Sequence, residues 1–419
     1  MANSSPPPGT SDIFPEEISS WYLLEDAARR VFPLYGYGEF RTPVFEYTEV
    51  FKRGLGDETE VVQKEMYTFE DKGGRSLTLR PEGTAGVMRA LSGTDAVNGN
   101  EWRVFYTGAM FRGERPAAGR RRQFHQIGVE NVGRAAPEID AECIAMLAHY
   151  LEETGISGSH LKLNTRGAVA DRKPAEEALR AHFSKNIDVM CEDCKNRISK
   201  NVWRILDCKQ AQCKEHIENT PDIVSYFSDE TKNYFSKVCS VLKELNIDYE
   251  VDPRLVRGLD YYVHTVFELV HPGLGAQNAI AGGGRYEIFL PETKKPVIGV
   301  GFAAGMERLI IVRDALGLPK PDLKRSPVFL VALGEAALAS NMRLAAQLRK
   351  SGIAVIAELE ARSMKAQMRA ADRAGAEFAV ICGDSELQKG VLVCKNMKNG
   401  EQIEIPSENI ADYLKTRIS

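Results

Sequence analysis

Apolar residues near the start of the chain recur at helical spacing. Ile18, Tyr22, Leu23, Ala27, Val31 and Phe32 follow a 3.6-residue period, and Pro15 with Glu16 and Glu17 suits a helix start. The stretch SLTLRPEGTAGVMRAL reads as a strand, a turn broken by Pro81, and a helix beginning near Thr84. From Trp102 to Val132 two runs of strand composition flank the polar loop GERPAAGRR, which predicts a long hairpin with a basic tip. Extended segments return at Tyr249. The run from Tyr261 to Val270 is β-branched, aromatic and free of proline, and GVGFAAGMERL is a glycine-interrupted strand leading into a helix near Met306.

Between these blocks, residues 165–245 are rich in Lys, Asp, Asn and Cys and read as a mainly helical insertion. GLPKPDLKRSP has linker composition, which sets expected boundaries of 1–320 for a first domain, 321–327 for a linker and 328–419 for a second domain. Beyond the linker, strand and helix alternate through VFLVAL, GIAVIAEL and EFAVICG. That order predicts a small, largely parallel sheet covered by helices.

Composition narrows the class. With 43% hydrophobic and 27% charged residues the chain is an ordinary globular one. No window reaches the roughly 18 uncharged apolar residues of a membrane helix, and MANSSPPPGTSDIF lacks the basic and apolar segments of a signal peptide. The expectation is a cytoplasmic protein without a membrane partner. A net charge of −4 does not advertise a nucleic-acid partner, so that question rests on local patches. Eight cysteines without a secretion signal suggest thiols or a metal site before disulfides. Cys191, Cys194, Cys208 and Cys213 have nearly the spacing of a four-thiolate zinc site. Their place in the insertion, and the four residues inside the second pair, keep structural zinc from being the favoured reading.

The basic hairpin is richer than a solvated turn requires. Five arginines and Glu114 lie between Arg112 and Arg122. Residues two apart share a strand face, so Phe124, Gln126 and Glu130 point the same way with Gly128 leaving a gap. An aromatic plate, an amide and a carboxylate beside Arg112 could hold a base, a polar substrate and a phosphate. In LVRGLDYYVHTVFELV, alternation places Tyr262, His264 and Glu268 on one face and Tyr261, Val263 and Phe267 on the other. Arg257 and Asp260 beside that strand need partners, and an ion pair between them is the purely structural alternative. An imidazole ligand needs a partner for each ring nitrogen, which Glu130 and Tyr262 could supply.

Phe-Arg-x-Glu, a loop, and Arg-x-Arg-Gln-Phe-His-Gln resemble motif 2 of class II aminoacyl-tRNA synthetases, in the form found in histidyl-tRNA synthetases. GMERL resembles the motif 3 sequence Gly-x-Glu-Arg, and AARRVFPLYGYGEFRTPVFE resembles motif 1. TLRPEGT, RGLDYY and AGGGRYE resemble the histidine-specific segments. The resemblance covers most of the chain, densest between residues 78 and 308. It implies an α+β catalytic domain with an antiparallel sheet, a helical insertion, and a C-terminal α/β domain that binds the anticodon.

The implied reaction joins L-histidine to ATP as histidyl-adenylate and passes the histidyl group to the 3′ end of tRNA(His). By resemblance, the catalytic residues are Arg257, Arg112 and Arg308. Arg112 clamps the α-phosphate and the amino-acid carboxylate, Arg257 contacts the α-phosphate in place of a metal ion, and Arg308 binds the γ-phosphate. ATP is further held by Glu114 at the adenine amino group and Phe124 on the adenine face. The implied histidine-binding set is Glu82, Gly83, Thr84, Arg112, Gln126, Glu130, Arg257, Tyr261 and Tyr262. No metal ligand is implied among the site residues, although Mg²⁺ is expected with ATP. Motif 1 implies a homodimer. Arg115 would sit at the acceptor stem, where Ala117 and Ala118 offer no long polar side chain. Lys350, Arg362, Lys365, Arg369 and Arg373 could contact phosphates of the tRNA. The alternative of another class is a non-catalytic, histidine-binding regulatory paralogue of ATP phosphoribosyltransferase. The domain after Pro327 and the intact Arg112, Arg257 and Arg308 oppose it.

Overall fold

The computed structural model describes residues 5–56, 59–98, 100–117, 119–275, 278–289, 296–322 and 326–418. Ala118 of the hairpin tip and residues 323–325 of the expected linker lie outside the described residues. Two compact units divide between Pro321 and Asp322.

The strands of the first unit are β1 (Gly38–Glu39), β2 (Phe45–Tyr47), β3 (Thr68–Glu70), β4 (Ser76–Leu79), β5 (Trp102–Phe111), β6 (Gln123–Val132), β7 (His160–Thr165), β8 (Glu250–Val251), β9 (Tyr262–Val270), β10 (Ala279–Ile288) and β11 (Val297–Gly305). Its helices are α1 (Ile18–Val31), α2 (Thr48–Leu55), α3 (Thr84–Leu91), α4 (Pro137–Glu153), α5 (Arg172–Phe183), α6 (Glu192–Lys200), α7 (Ala211–Glu218), α8 (Asp229–Glu244) and α9 (Met306–Ala315). Eight strands form one sheet in the order β1-β5-β6-β11-β10-β9-β7-β8. The middle of this sheet is antiparallel throughout, and only the short edge pairs β1–β5 and β7–β8 are parallel. The insertion expected over residues 165–245 carries α5 to α8 and several short 3₁₀ turns, with its own apolar cluster around Leu179, Phe183, Trp203 and Phe227.

Strand alternation distributes the two faces of the sheet. Phe105, Ile127, Val129 and Phe302 pack with α1 and α4 residues such as Leu24, Val31, Leu147 and Tyr150. Tyr106, Met110, Tyr262 and Tyr286 pack on the opposite side with Phe51, Leu55 and Met88. That second face holds the cleft. The buried side of α1 runs through Trp21, Leu24, Ala28 and Val31, and Tyr22 is exposed. The stripe is therefore rotated from the one expected, because Trp21 and Leu24 meet the sheet.

Two local features depart from simple alternation. Arg285 and Val263 are paired across β10 and β9, yet the next position on β10, Gly284, pairs with Val266. The two extra residues, His264 and Thr265, bulge out, and His264 adopts a left-handed φ of 48°. His264 consequently does not share the cleft face with Tyr262 and Glu268. It stacks on Tyr234 of α8 instead, with ring centroids 4.6 Å apart. The bulge preserves parity beyond it, since it adds two residues, and Glu268 still faces the cleft. Arg285, in the AGGGRYE segment, also turns away from the cleft. It is buried and binds Asp140 of α4 through Nε at 2.8 Å and the carbonyl of Arg134 at 3.0 Å.

The second unit consists of β12 (Val328–Leu333), α10 (Glu335–Lys350), β13 (Val355–Ala357), α11 (Met364–Arg373), β14 (Phe378–Gly383), α12 (Asp384–Lys389), β15 (Val391–Asn396), β16 (Gln402–Pro406) and α13 (Ile410–Lys415). Its sheet order is β13-β12-β14-β15-β16. The first three strands are parallel, as the alternation of strand and helix predicts. The antiparallel pair β15–β16 extends that sheet beyond the expectation. Gln367 is buried on α11 and fully used: it accepts from the Ala332 N–H at 2.8 Å and donates to the Ala332 carbonyl at 2.7 Å.

Candidate functional site

Two cavities open on the cleft face of the large sheet, and both are lined by Arg112, Gln126, Arg257, Gly282 and Ala303. The larger, about 350 Å³, also takes in Glu114, Phe124, Glu268 and Arg308. The smaller, about 50 Å³, is lined by Glu82, Thr84, Tyr106, Glu130, Tyr262 and Tyr286. Tyr261 also reaches the small one. The shared arginines stand where the two spaces meet.

The large cavity begins with the hairpin. Arg112 follows the last residue of β5, and its guanidinium lies 5.3 Å from the centroid of the Phe124 ring on β6. Its Nε donates to the Pro81 carbonyl at 2.9 Å, leaving the rest of the planar fork toward the cavity. Glu114 sits between two cations, 3.8 Å from Arg112 Nη1 and 3.2 Å from Arg120 Nε. Arg308, in the first turn of α9, donates through Nε to the Gly119 carbonyl at 2.9 Å and through Nη1 to the Ala279 carbonyl. The arginine itself thus ties the hairpin loop and the start of β10 to the first turn of α9.

Arg257 reaches into both cavities. Its Nη1 donates to Glu268 Oε1 at 2.7 Å, and its buried Nε has no hydrogen-bond partner among the described residues. The guanidinium lies flat on Gly282, where a Cβ would stand 2.3 Å from Nη1. Asp260 is not its partner. That carboxylate accepts from Asn201 Nδ2 at 2.6 Å, so the Arg257–Asp260 ion pair gives way to Arg257–Glu268.

The small cavity is built around Glu130. Thr84 Oγ1 donates to Glu130 Oε1 at 2.7 Å and the Tyr286 hydroxyl donates to Oε2 at 2.8 Å, with the Tyr106 hydroxyl 3.5 Å from Oε1. Burial raises the Glu130 carboxyl to a pKa of about 8. Burial likewise holds Tyr106, Tyr261 and Tyr286 well above the ordinary phenol range, so all three keep their protons at neutral pH. Glu82 accepts from the N–H groups of Thr84 and Ala85, both at 2.7 Å, and so caps α3 with its own carboxylate. Gln126 lines both cavities, and its buried Oε1 has no hydrogen-bond partner among the described residues. Gly83 does not line the cavity; a side chain there would meet the Tyr106 ring at 2.2 Å.

Glycine recurs opposite three of the large polar groups of this floor. Tyr106 pairs with Gly128, Tyr286 with Gly299 and Glu130 with Gly301 across adjacent strands. A Cβ at these glycines would fall 2.3 to 2.4 Å from the facing side chain. Each side chain therefore lies across its neighbour's backbone. Tyr106 has no role in the sequence reading, because a tyrosine in an apolar strand looks like core. The glycine at the paired position was the available signal.

The raised pKa of Glu130 has a direct consequence. The folded state holds a proton there that the unfolded chain releases near 4.5, so this stability is present below that range and is lost as pH rises through about 8. Denaturant unfolding across pH is expected to show a decline of up to ~1.4 kcal/mol per pH unit from this group in that window. Glu130→Gln is expected to remove that component of the slope.

Comparison with known proteins places these features. Residues 9–309 match the family model for histidyl-tRNA synthetase, and residues 327–417 match that for an anticodon binding domain. A histidine–tRNA ligase from Geobacillus sp. (strain WCH70) is 46% identical over 419 residues, covering 99% of each chain. One from Thermotoga maritima is 43% identical over 413 residues, covering 98% of each. The crystal structure of apo S. aureus histidyl-tRNA synthetase superimposes with a TM-score of 0.80 at 36% identity, covering 99% of this chain and 100% of that one. A family match over most of the first unit, and relatives aligned over nearly the whole chain, establish that this chain belongs to the histidyl-tRNA synthetase family.

Proposed function

We propose that the chain activates L-histidine with ATP in the two joined cavities and transfers the histidyl group to tRNA(His). The observation that carries this assignment of sites is the pair of arginines, Arg112 and Arg257, lining both spaces. In the large cavity, adenine stacks on Phe124 with its amino group toward Glu114, and Arg308 takes the γ-phosphate. In the small one, histidine lies with its imidazole between Glu130 and Tyr262 and its α-amino group toward Glu82 and Thr84. Gln126 and Tyr261 complete its walls. ATP enters as its Mg²⁺ complex, the ion being part of the substrate.

Attack of the histidine carboxylate on the α-phosphorus brings two anions together and builds charge on the phosphoryl oxygens. Fixed guanidinium groups aimed at that point lower the barrier, because they are already oriented and need no reorganisation as charge develops. A carboxyl that keeps its proton at neutral pH, as Glu130 does, has one O–H to donate and further lone pairs to accept. Glu130, holding Thr84 and Tyr286, therefore retains capacity for an imidazole N–H. Such polar readout discriminates strongly against apolar isosteres, which would leave Glu130 and Tyr262 without their ligand partner.

For the second unit, an anticodon-binding role follows from its family match. Lys365, Arg369 and Arg373 are spaced four apart along α11 and exposed, and they are proposed phosphate contacts with Lys350. Arg362 is held at 2.8 Å by Glu360 and is the least available of the set. A homodimer through the motif 1 segment and a cytoplasmic location are also proposed. No helix among the described residues is long and apolar enough to cross a membrane.

Histidine-dependent ATP–pyrophosphate exchange tests the assignment. The wild-type protein is expected to exchange with histidine and to charge tRNA(His). Exchange supported by another amino acid in preference to histidine would overturn the imidazole reading.

A further inference from the structure

The helical insertion brings its four clustered cysteines to one point. The Sγ atoms of Cys191, Cys194, Cys208 and Cys213 all lie within 4.8 Å of one another, and all four are free thiols. A tetrahedral zinc ion with Zn–S bonds of about 2.3 Å separates its sulfurs by roughly 3.8 Å. Cys191 Sγ and Cys208 Sγ are 3.7 Å apart. The backbone N–H of Cys191 also donates to Cys213 Sγ at 3.3 Å, an outer contact that fixes the sulfur's orientation. Cys194 and Cys213 are buried and Cys191 and Cys208 partly exposed, which gives a closed inner half and an entry path.

We infer that this cluster is a structural zinc site and that the ion anchors the segment which braces Arg257. Cys191 and Cys194 stand at the start of α6, and Cys213 in the first turn of α7. Between them runs Asn201–Lys209. Asn201 donates to Asp260 at 2.6 Å, and Arg204 donates to the Gly258 carbonyl at 3.4 Å and to Glu60 at 3.0 Å. Arg197, one turn after Cys194, donates to Glu60 at 2.7 Å and to the Arg204 carbonyl at 3.2 Å. Asp207 and Arg204 line the larger cavity. The insertion's apolar cluster is small, and modules of that size commonly rely on a metal or disulfide staple. Zinc would fasten both ends of this segment and thereby hold Gly258 and Asp260 on either side of the cleft loop.

The test uses the full chain, purified without chelator or metal-affinity resin. Elemental analysis is expected to give close to one zinc per chain, and Cys194→Ser with Cys213→Ser to give none. Less than a tenth of an equivalent in the wild type overturns the site, as does a disulfide among the four cysteines found by mass spectrometry of unreduced protein. Cys213→His, which keeps a zinc ligand, is expected to retain the metal, whereas Cys213→Ser is not; equal loss in both, with the circular dichroism of each unchanged from wild type, overturns ligation by Cys213. Cobalt(II) added to stripped wild-type protein is expected to give the absorption of tetrahedral thiolate coordination, and octahedral spectra overturn the geometry. Stripping is expected to raise the KM for ATP at least threefold, with zinc restoring it. An unchanged KM overturns the bracing role.

Discussion

Arg257→Ala is expected to lower kcat for histidine-dependent ATP–pyrophosphate exchange by about 10²- to 10³-fold, the range measured when one fixed electrostatic donor is removed from a transition state. Histidine binding is expected to weaken much less, since the floor around Glu130 survives. The reason lies in the free protein's geometry. Arg257 is held by Glu268 on one nitrogen and lies against the backbone of Gly282, while its buried Nε has no hydrogen-bond partner among the described residues. A guanidinium so placed needs no reordering when charge appears on the α-phosphoryl group. Arg257→Lys is expected to recover only a fraction, because an ammonium group cannot reproduce the planar fork. An alanine variant at full rate would remove Arg257 from the chemistry and leave the histidine pocket in place.

The second large effect concerns stability. Arg285 and Asp140 are 1% and 0% exposed and form an ion pair, with Thr265 Oγ1 donating to Asp140 at 2.6 Å and the Tyr234 hydroxyl at 3.1 Å. Asp140→Ala is expected to destabilise the first unit by about 3–5 kcal/mol, since it leaves a guanidinium buried and uncompensated. Replacing both partners by apolar residues of similar volume is expected to cost far less. Urea unfolding followed by a probe in the first unit checks the comparison. Equal losses in the single and double variants would contradict the desolvation argument. The network ties α4, α8, β9 and β10 together from behind the cleft, so its loss is expected to reach activity only through the folded fraction.

Much of the cleft was legible because it is made from strands. Period-two alternation alone put Phe124, Gln126 and Glu130 on one face, and the hairpin from Trp102 to Val132 carries them there. The same rule failed at His264, where a bulge of two residues interrupts the count and sends the imidazole to Tyr234. Nothing in RGLDYYVHTV marks that bulge, because its cause is the approach of Arg166 and Gly167, whose backbones bond both sides of His264. Arg285 stands in AGGGRYE, a segment that the sequence marks only by resemblance. Its partner lies 145 positions away on another element, a distance no local pattern spans. The β15–β16 hairpin was more accessible: Asn399-Gly400 between two alternating runs is a turn signal.

The glycines opposite Tyr106, Tyr286 and Glu130 have an evolutionary corollary. The contour of the small cavity, the proposed amino-acid pocket, is written into which residue faces which across β5, β6, β10 and β11. A single substitution of a wall residue meets a backbone shaped for its predecessor, and a single substitution of a glycine strikes the wall. Redirecting this enzyme to another amino acid would therefore require coupled changes on neighbouring strands, a barrier that resists gradual drift in the meaning of a codon.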